Sequence, residues 1–93
     1  MAIKNVMIVD DSPTEIHLLR EMLTKNGYAV SVCNSGEEAL EKSKTEKPDL
    51  ILMDVVMPGM SGFEATRAIT RAPETAHIPV IICTTKGQET DKI

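Results

Sequence analysis

The chain has 93 residues, a formal net charge of −4, 26% charged residues, 2% aromatic residues and no Trp. One domain is the expectation at this length, and its core has to be built from Ile, Val, Leu, Met and Ala. The acidic balance, with no basic tail or stripe, argues against nucleic acid as a direct partner. No apolar run reaches membrane-spanning length, the first residues lack a signal-peptide layout, and the two cysteines, Cys33 and Cys83, have no short-range metal spacing. The expectation is a soluble, cytoplasmic protein with buried free thiols and no membrane partner.

In chain order, Ile3 to Val9 reads as a first strand that ends at Asp10-Asp11. Ser12-Pro13-Thr14-Glu15 reads as a helix start, with Ser12 as cap, Pro13 at the first helical position and Glu15 completing a capping box. Ile16, Leu19, Met22 and Leu23 follow at helical spacing, and Asn26-Gly27 supplies a left-handed stop. Tyr28 to Cys33 reads as a second strand. Ser35-Gly36-Glu37-Glu38 repeats the helix start; that helix has Leu40 as its main large apolar anchor, so it is expected to be short and largely exposed. A Glu38–Lys42 pair lies along it, and Lys47-Pro48 ends it.

Asp49 to Met53 is a short apolar run, the pattern of a strand buried on both faces of a parallel sheet, and it is closed by Asp54. A Pro58-Gly59 loop leads to a third Ser-x-x-Glu start at Ser61, in a helix closed by Pro73. Pro79 to Cys83 is a fourth strand, ending at Thr84-Thr85, and Lys86 to Ile93 resembles the first turns of a fourth helix. The β-α-β-α-β-α-β-α alternation predicts right-handed crossovers and a doubly wound parallel sheet with helices on both faces.

Ligands of such sheets bind at the carboxyl ends of the strands. Asp10-Asp11 end the first strand, Asp54 the third and Thr84 the fourth. Two unit charges about 4 Å apart repel by about 4 kcal/mol at an effective dielectric near 20. A convergent set of three carboxylates therefore either raises a pKa or binds a hard cation, and Mg²⁺, which takes oxygen ligands, fits best. A carboxylate nucleophile that forms an aspartyl-phosphate is established chemistry. Taken singly, a strand-end Asp is more often a cap or loop carboxylate, and Thr84 alone is more often a hydroxyl bonded to backbone. His17 and His77 carry no partner signal, and Met57 and Met60 read as loop packing.

The motifs Val9-Asp10-Asp11-Ser12, Leu52-Met53-Asp54-Val55-Val56-Met57-Pro58-Gly59-Met60-Ser61-Gly62 and Pro79-Val80-Ile81-Ile82-Cys83-Thr84 resemble the receiver domain of two-component response regulators. Within that family, Ser12-Pro13-Thr14-Glu15, Phe63-Glu64-Ala65-Thr66-Arg67 and the segment from Thr84 to Lys92 look most like the PilH-type regulators of twitching motility. The resemblance implies a flavodoxin-like (CheY-like) α/β fold, with the strand order 2-1-3-4-5 known for that fold. It implies Asp54 as phosphoacceptor, and Mg²⁺ held by Asp10, Asp11, Asp54 and the backbone carbonyl of Val56. Thr84 would contact the phosphoryl group and switch with it. A CheA-like sensor histidine kinase would be the donor, and a downstream motility or output protein the receiver of the signal. On this reading the chain is a phosphoacceptor signalling domain and not an enzyme, with autophosphatase activity at most.

Two departures stand out. Thr85 follows Thr84 where the family usually has a small residue. The chain also stops at Ile93, so the expectation is a single receiver domain, 1–93, truncated after the start of the fourth helix, with the fifth strand, its lysine and the fifth helix absent. The alternative is a signalling-impaired fragment whose exposed fourth-strand edge drives homodimerisation or exchange of elements. A Mg²⁺-dependent phosphohydrolase of the haloacid-dehalogenase type would need a second Asp where Val56 stands. A flavodoxin would need a Ser/Thr/Gly phosphate loop where Asp10-Asp11 stand.

Overall fold

The computed structural model describes residues 3–55 and 59–83. The expected fourth helix, Thr84, Thr85 and Val56 lie outside the described residues. Four strands and three helices alternate: β1 Asn5–Val9, α1 Pro13–Lys25, β2 Ala29–Cys33, α2 Gly36–Glu46, β3 Leu50–Asp54, α3 Gly62–Arg71 and β4 Val80–Cys83. All pairings are parallel and the order is β2-β1-β3-β4. The doubly wound sheet expected from the alternation is present, with ends that differ from the sequence reading by a residue or two.

The sheet has two unequal faces. Met7, Val9, Cys33, Ile51 and Met53 form one core with Ala39 of α2, Ala65 and Ile69 of α3, and Ile78 before β4; Val80 and Ile82 pack against it. Strand side chains alternate between faces, so Val6 and Ile8 of β1 turn to the other side. There α1 packs chiefly on β1 and β2, with Ile16 buried. Ile81 of β4 lies on that α1 side and remains 50% exposed.

The three helix starts are alike in sequence and differ in detail. Ser12, Ser35 and Ser61 each accept a hydrogen bond from the amide three residues on. Only α3 has the reciprocal box, in which Glu64 also accepts from the Ser61 amide at 3.1 Å. In α1 the Ser12 amide donates instead to Asp10 Oδ1 at 2.9 Å, and in α2 Glu38 accepts from the Asn34 amide at 2.9 Å. The expected box at Glu15 is therefore corrected: a nearer carboxylate wins the Ser12 amide. Met22, expected on the apolar side of α1, is exposed, because Ile16, Leu19 and Leu23 already fill the sheet-facing arc.

The second helix runs eleven residues and buries Gly36, Ala39 and Ser43. Its Lys42 lies 3.4 Å from Glu38 Oε2, as the spacing predicts, and also donates to the Val32 carbonyl of the outer strand β2 at 3.3 Å. At the opposite end of the sheet Asp49 holds β1 and β3 together. Its Oδ2 accepts from the Lys4 and Asn5 amides at 2.9 and 3.0 Å, which keeps its carboxyl below the ordinary value of 3.8.

A carboxylate cluster at the carboxyl edge of the sheet

Pairing of β1 with β3 sets Val9 beside Met53, so the next residue of each strand carries its carboxylate to the same edge. Asp10, Asp11 and Asp54 each bring one carboxylate oxygen to within 4.8 Å of the other two. Asp54 is 2% exposed and Asp10 5%, with Asp11 more open than either. Burial of this depth is unusual for carboxylates that are not paired, hydrogen-bonded or bound to metal.

Main-chain hydrogen bonds fix the backbone around Asp10 and just beyond Asp54. The Asp10 amide donates to the Cys33 carbonyl at 3.0 Å, which continues the β1–β2 ladder by one residue. The Ser12 amide takes Asp10 Oδ1 and so turns the chain from β1 into α1. Beyond Asp54, the Val55 amide donates to the Cys83 carbonyl at 3.3 Å, and the Val55 carbonyl accepts from the Gly62 amide at 3.1 Å. The third helix therefore starts directly against the end of β3.

Cys83 pairs with Asp54 in register, so the thiol stands at the same edge. Burial first, then the charges of Asp54 and Asp10, push its pKa up. It is half-buried and not fully buried as expected, because β4 lies at the margin of the described sheet. Cys33 is buried, and burial pushes its thiol up to about 11.

The donor set fits Mg²⁺. All three donors are hard carboxylate oxygens, and in an octahedral site with bonds of about 2.1 Å opposite ligands stand about 4.2 Å apart. Oxygens within 4.8 Å of one another are close enough that Asp10, Asp11 and Asp54 could hold one such ion. Among the described residues His17 is not one of the clustered donors; it lies 3.5 Å from Glu21 on the exposed side of α1. The family model described as the response regulator receiver domain matches residues 6–93. The chain belongs to the response regulator receiver family.

As a receiver it is similar to several known proteins. It is 53% identical over 88 residues to the protein PilH of Pseudomonas aeruginosa, covering 95% of this chain and 73% of PilH. It is 38% identical to the alkaline phosphatase synthesis transcriptional regulatory protein PhoP of Bacillus subtilis, covering 97% of this chain and 37% of that one. Among solved structures, the N-terminal domain of a response regulator receiver protein from Methanoculleus marisnigri superposes with a TM-score of 0.86 at 35% identity, over 98% of this chain and 76% of that one. The receiver domain of the sensor histidine kinase PA1611 of P. aeruginosa, solved with a magnesium ion coordinated in its active site cleft, gives 0.85 at 28% identity, over 98% and 75%. The CheY-like fold and the PilH-type resemblance are both borne out.

Asp10, Asp11 and Asp54 are thus brought together, whereas Thr84 and Val56 lie outside the described residues. Two members of the edge were missed from sequence. The sequence places Gly62 in a motif and in a helix start and gives it no packing role, although its amide and its missing side chain let α3 touch β3. Cys83 was read as a core thiol, although its register beside Asp54 follows once β3 and β4 are aligned at their carboxyl ends.

Proposed function

We propose that the chain accepts a phosphoryl group on Asp54 from a histidine kinase, with Mg²⁺ held by Asp10, Asp11 and Asp54, and relays it as a conformational signal in pilus-based or chemotaxis-like motility. The observation that carries this reading is the cluster of three carboxylates, two of them buried, at the carboxyl edge of adjacent strands. The similarity to PilH supports the motility assignment.

In this reading an Asp54 oxygen attacks phosphorus, a P–O bond forms, and the P–N bond of the phosphohistidine breaks; the leaving imidazole takes up a proton. Bound Mg²⁺ supplies charge neutralisation for the in-line transfer. Asp54 is aimed by the end of β3, and Asp10 is held by Ser12. Thr84 as phosphoryl contact and the Val56 carbonyl as a metal ligand remain part of the proposal on the strength of the motif. The domain turns over no substrate beyond loss of its own phosphoryl group, and it works in the cytoplasm with a CheA-like kinase and an output protein as partners. No described helix is long and apolar enough to cross a membrane.

Intact mass after incubation with Mg²⁺ and acetyl phosphate tests the proposal. One added phosphoryl group, absent from Asp54→Asn, is the expected result; equal labelling of that variant would sink it. A homodimer through β4 is a further part of the reading. Among the described residues β4 pairs on one side alone, and its Ile81 is half-exposed, which favours that edge. Sedimentation of a monomer at high micromolar concentration would rule it out.

A further inference from the structure

Gly62, the first residue of α3, is buried, and its amide donates to the Val55 carbonyl at 3.1 Å. A Cβ built on it would overlap the Asp54 carbonyl oxygen and would lie 2.9 Å from both the Asp54 carbonyl carbon and the Val55 Cα. All three atoms are main chain, so no side chain can swing aside to make room. Either α3 or the end of β3 has to move.

The third helix is held on its other sides. The Ser61–Glu64 box closes its start with bonds of 3.1 and 3.2 Å. Ala65 and Ile69 are fully buried in the main core. Ala65 also abuts α2, where a Cβ on Gly36 would come within 2.9 Å of the Ala65 Cβ. Strain introduced at Gly62 therefore falls on the peptide between Asp54 and Val55, whose direction sets where the Asp54 carboxylate points.

We infer that Gly62 is a positioning residue: seating the bare start of α3 on the Asp54 main chain aims the Asp54 carboxylate at Asp10 and Asp11. This rests on the reading of Asp54 as phosphoacceptor and extends it to the residue that orients it. Gly36 is the internal control. The three atoms nearest a Cβ there are the Ala65 Cβ and the flexible end of Met60, at 3.1 and 3.2 Å, all of them side chain.

The test compares Gly62→Ala with Gly36→Ala by carboxyl ¹³C NMR and Mg²⁺ titration. Gly62→Ala is expected to move the Asp54 carboxyl resonance in the metal-free protein and to weaken Mg²⁺ binding about 10–100-fold, the usual effect of losing a group that orients a metal ligand. Gly36→Ala is expected to lower Tm while leaving both readouts in place. An unmoved Asp54 resonance in Gly62→Ala, or equal loss of Mg²⁺ affinity in the two variants, overturns the inference. If Gly62→Ala does not fold, the unmodified chain decides. Its Gly62 amide should shift with the Asp54 carboxyl at the same half-saturating Mg²⁺, and a Gly62 amide that stays put overturns the inference. An Asp54 carboxyl that ignores Mg²⁺ in the unmodified chain overturns the inference and the metal reading together. Failure of acetyl phosphate to label the unmodified chain, while Asp54 still responds to Mg²⁺, sinks the phosphoacceptor reading alone and leaves Gly62 to be judged by the NMR comparison.

Discussion

The Ser12 amide donates to Asp10 Oδ1 at 2.9 Å, so one carboxylate of the acidic cluster is also the acceptor that turns β1 into α1. The two roles separate by substitution. Asp10→Asn keeps an acceptor oxygen and removes a negative charge, so metal-free Tm should hold or rise. Asp10→Ala orphans the Ser12 amide and should be less stable than Asp10→Asn by about 1–2 kcal/mol. Equal melting of the two variants would show that the hydrogen bond contributes nothing.

Mg²⁺ is expected to raise Tm, since only the folded edge gathers the three carboxylates. At 100 times its Kd the gain is about 2.7 kcal/mol by mass action. Asp11→Asn should lose that gain and melt no lower than the unmodified chain without metal, because like-charge repulsion is relieved. A full Mg²⁺ response in Asp11→Asn would remove Asp11 from the ligand set.

Asp49 predicts an acid-side dependence of stability. The Asn5 and Lys4 amides hold its folded pKa below the ordinary 3.8, so the ionised form is favoured by folding. That contribution is complete above the unfolded value and is lost as pH falls from there through the depressed folded value. Asp49→Asn should lower Tm at pH 7, and the gap to the unmodified chain should shrink below pH 3.8. A gap that stays constant into strong acid would assign the effect to shape and not to charge.

The two thiols should react in a fixed order. With a pKa of about 11, Cys33 is thiolate in only about one molecule in a thousand at pH 8, and it is buried as well. Cys83 is also pushed up, by burial and then by Asp54 and Asp10, but it is half-buried. Iodoacetamide followed by peptide mass mapping should find Cys83 alkylated first. Earlier modification of Cys33 would mean that the β1–β2 side opens more readily than β4.

Much of this architecture was legible from residue order. Apolar runs that end in Asp10-Asp11 and Asp54 gave the strands, and the known neighbourhood of the first and third strands in a doubly wound sheet brings those ends together. The Ser-x-x-Glu starts showed where helices begin but not which partner each amide takes. Asp10 outcompetes Glu15 for Ser12 through a two-residue separation, and Asn34 takes Glu38 ahead of Ser35. Asp49 was read as the first residue of a strand, yet its carboxylate bridges to β1, a contact 44 and 45 residues away that no local pattern encodes. Gly62 was invisible for a related reason. A glycine in the first turn of a helix looks the same in sequence whether it faces solvent or a carbonyl.

Lys42 gives one hydrogen bond to the Val32 carbonyl, at the flank where, among the described residues, β2 has no strand beside it. An incoming strand needs that acceptor to continue its ladder. The ammonium occupies it, with Glu38 holding the side chain in place. Acetylation of Lys42 would remove the cation and free the carbonyl in one event, without touching the core or the acidic edge. Acetylated chains should therefore associate through β2 more readily than unmodified ones, beside whatever association the β4 edge supports.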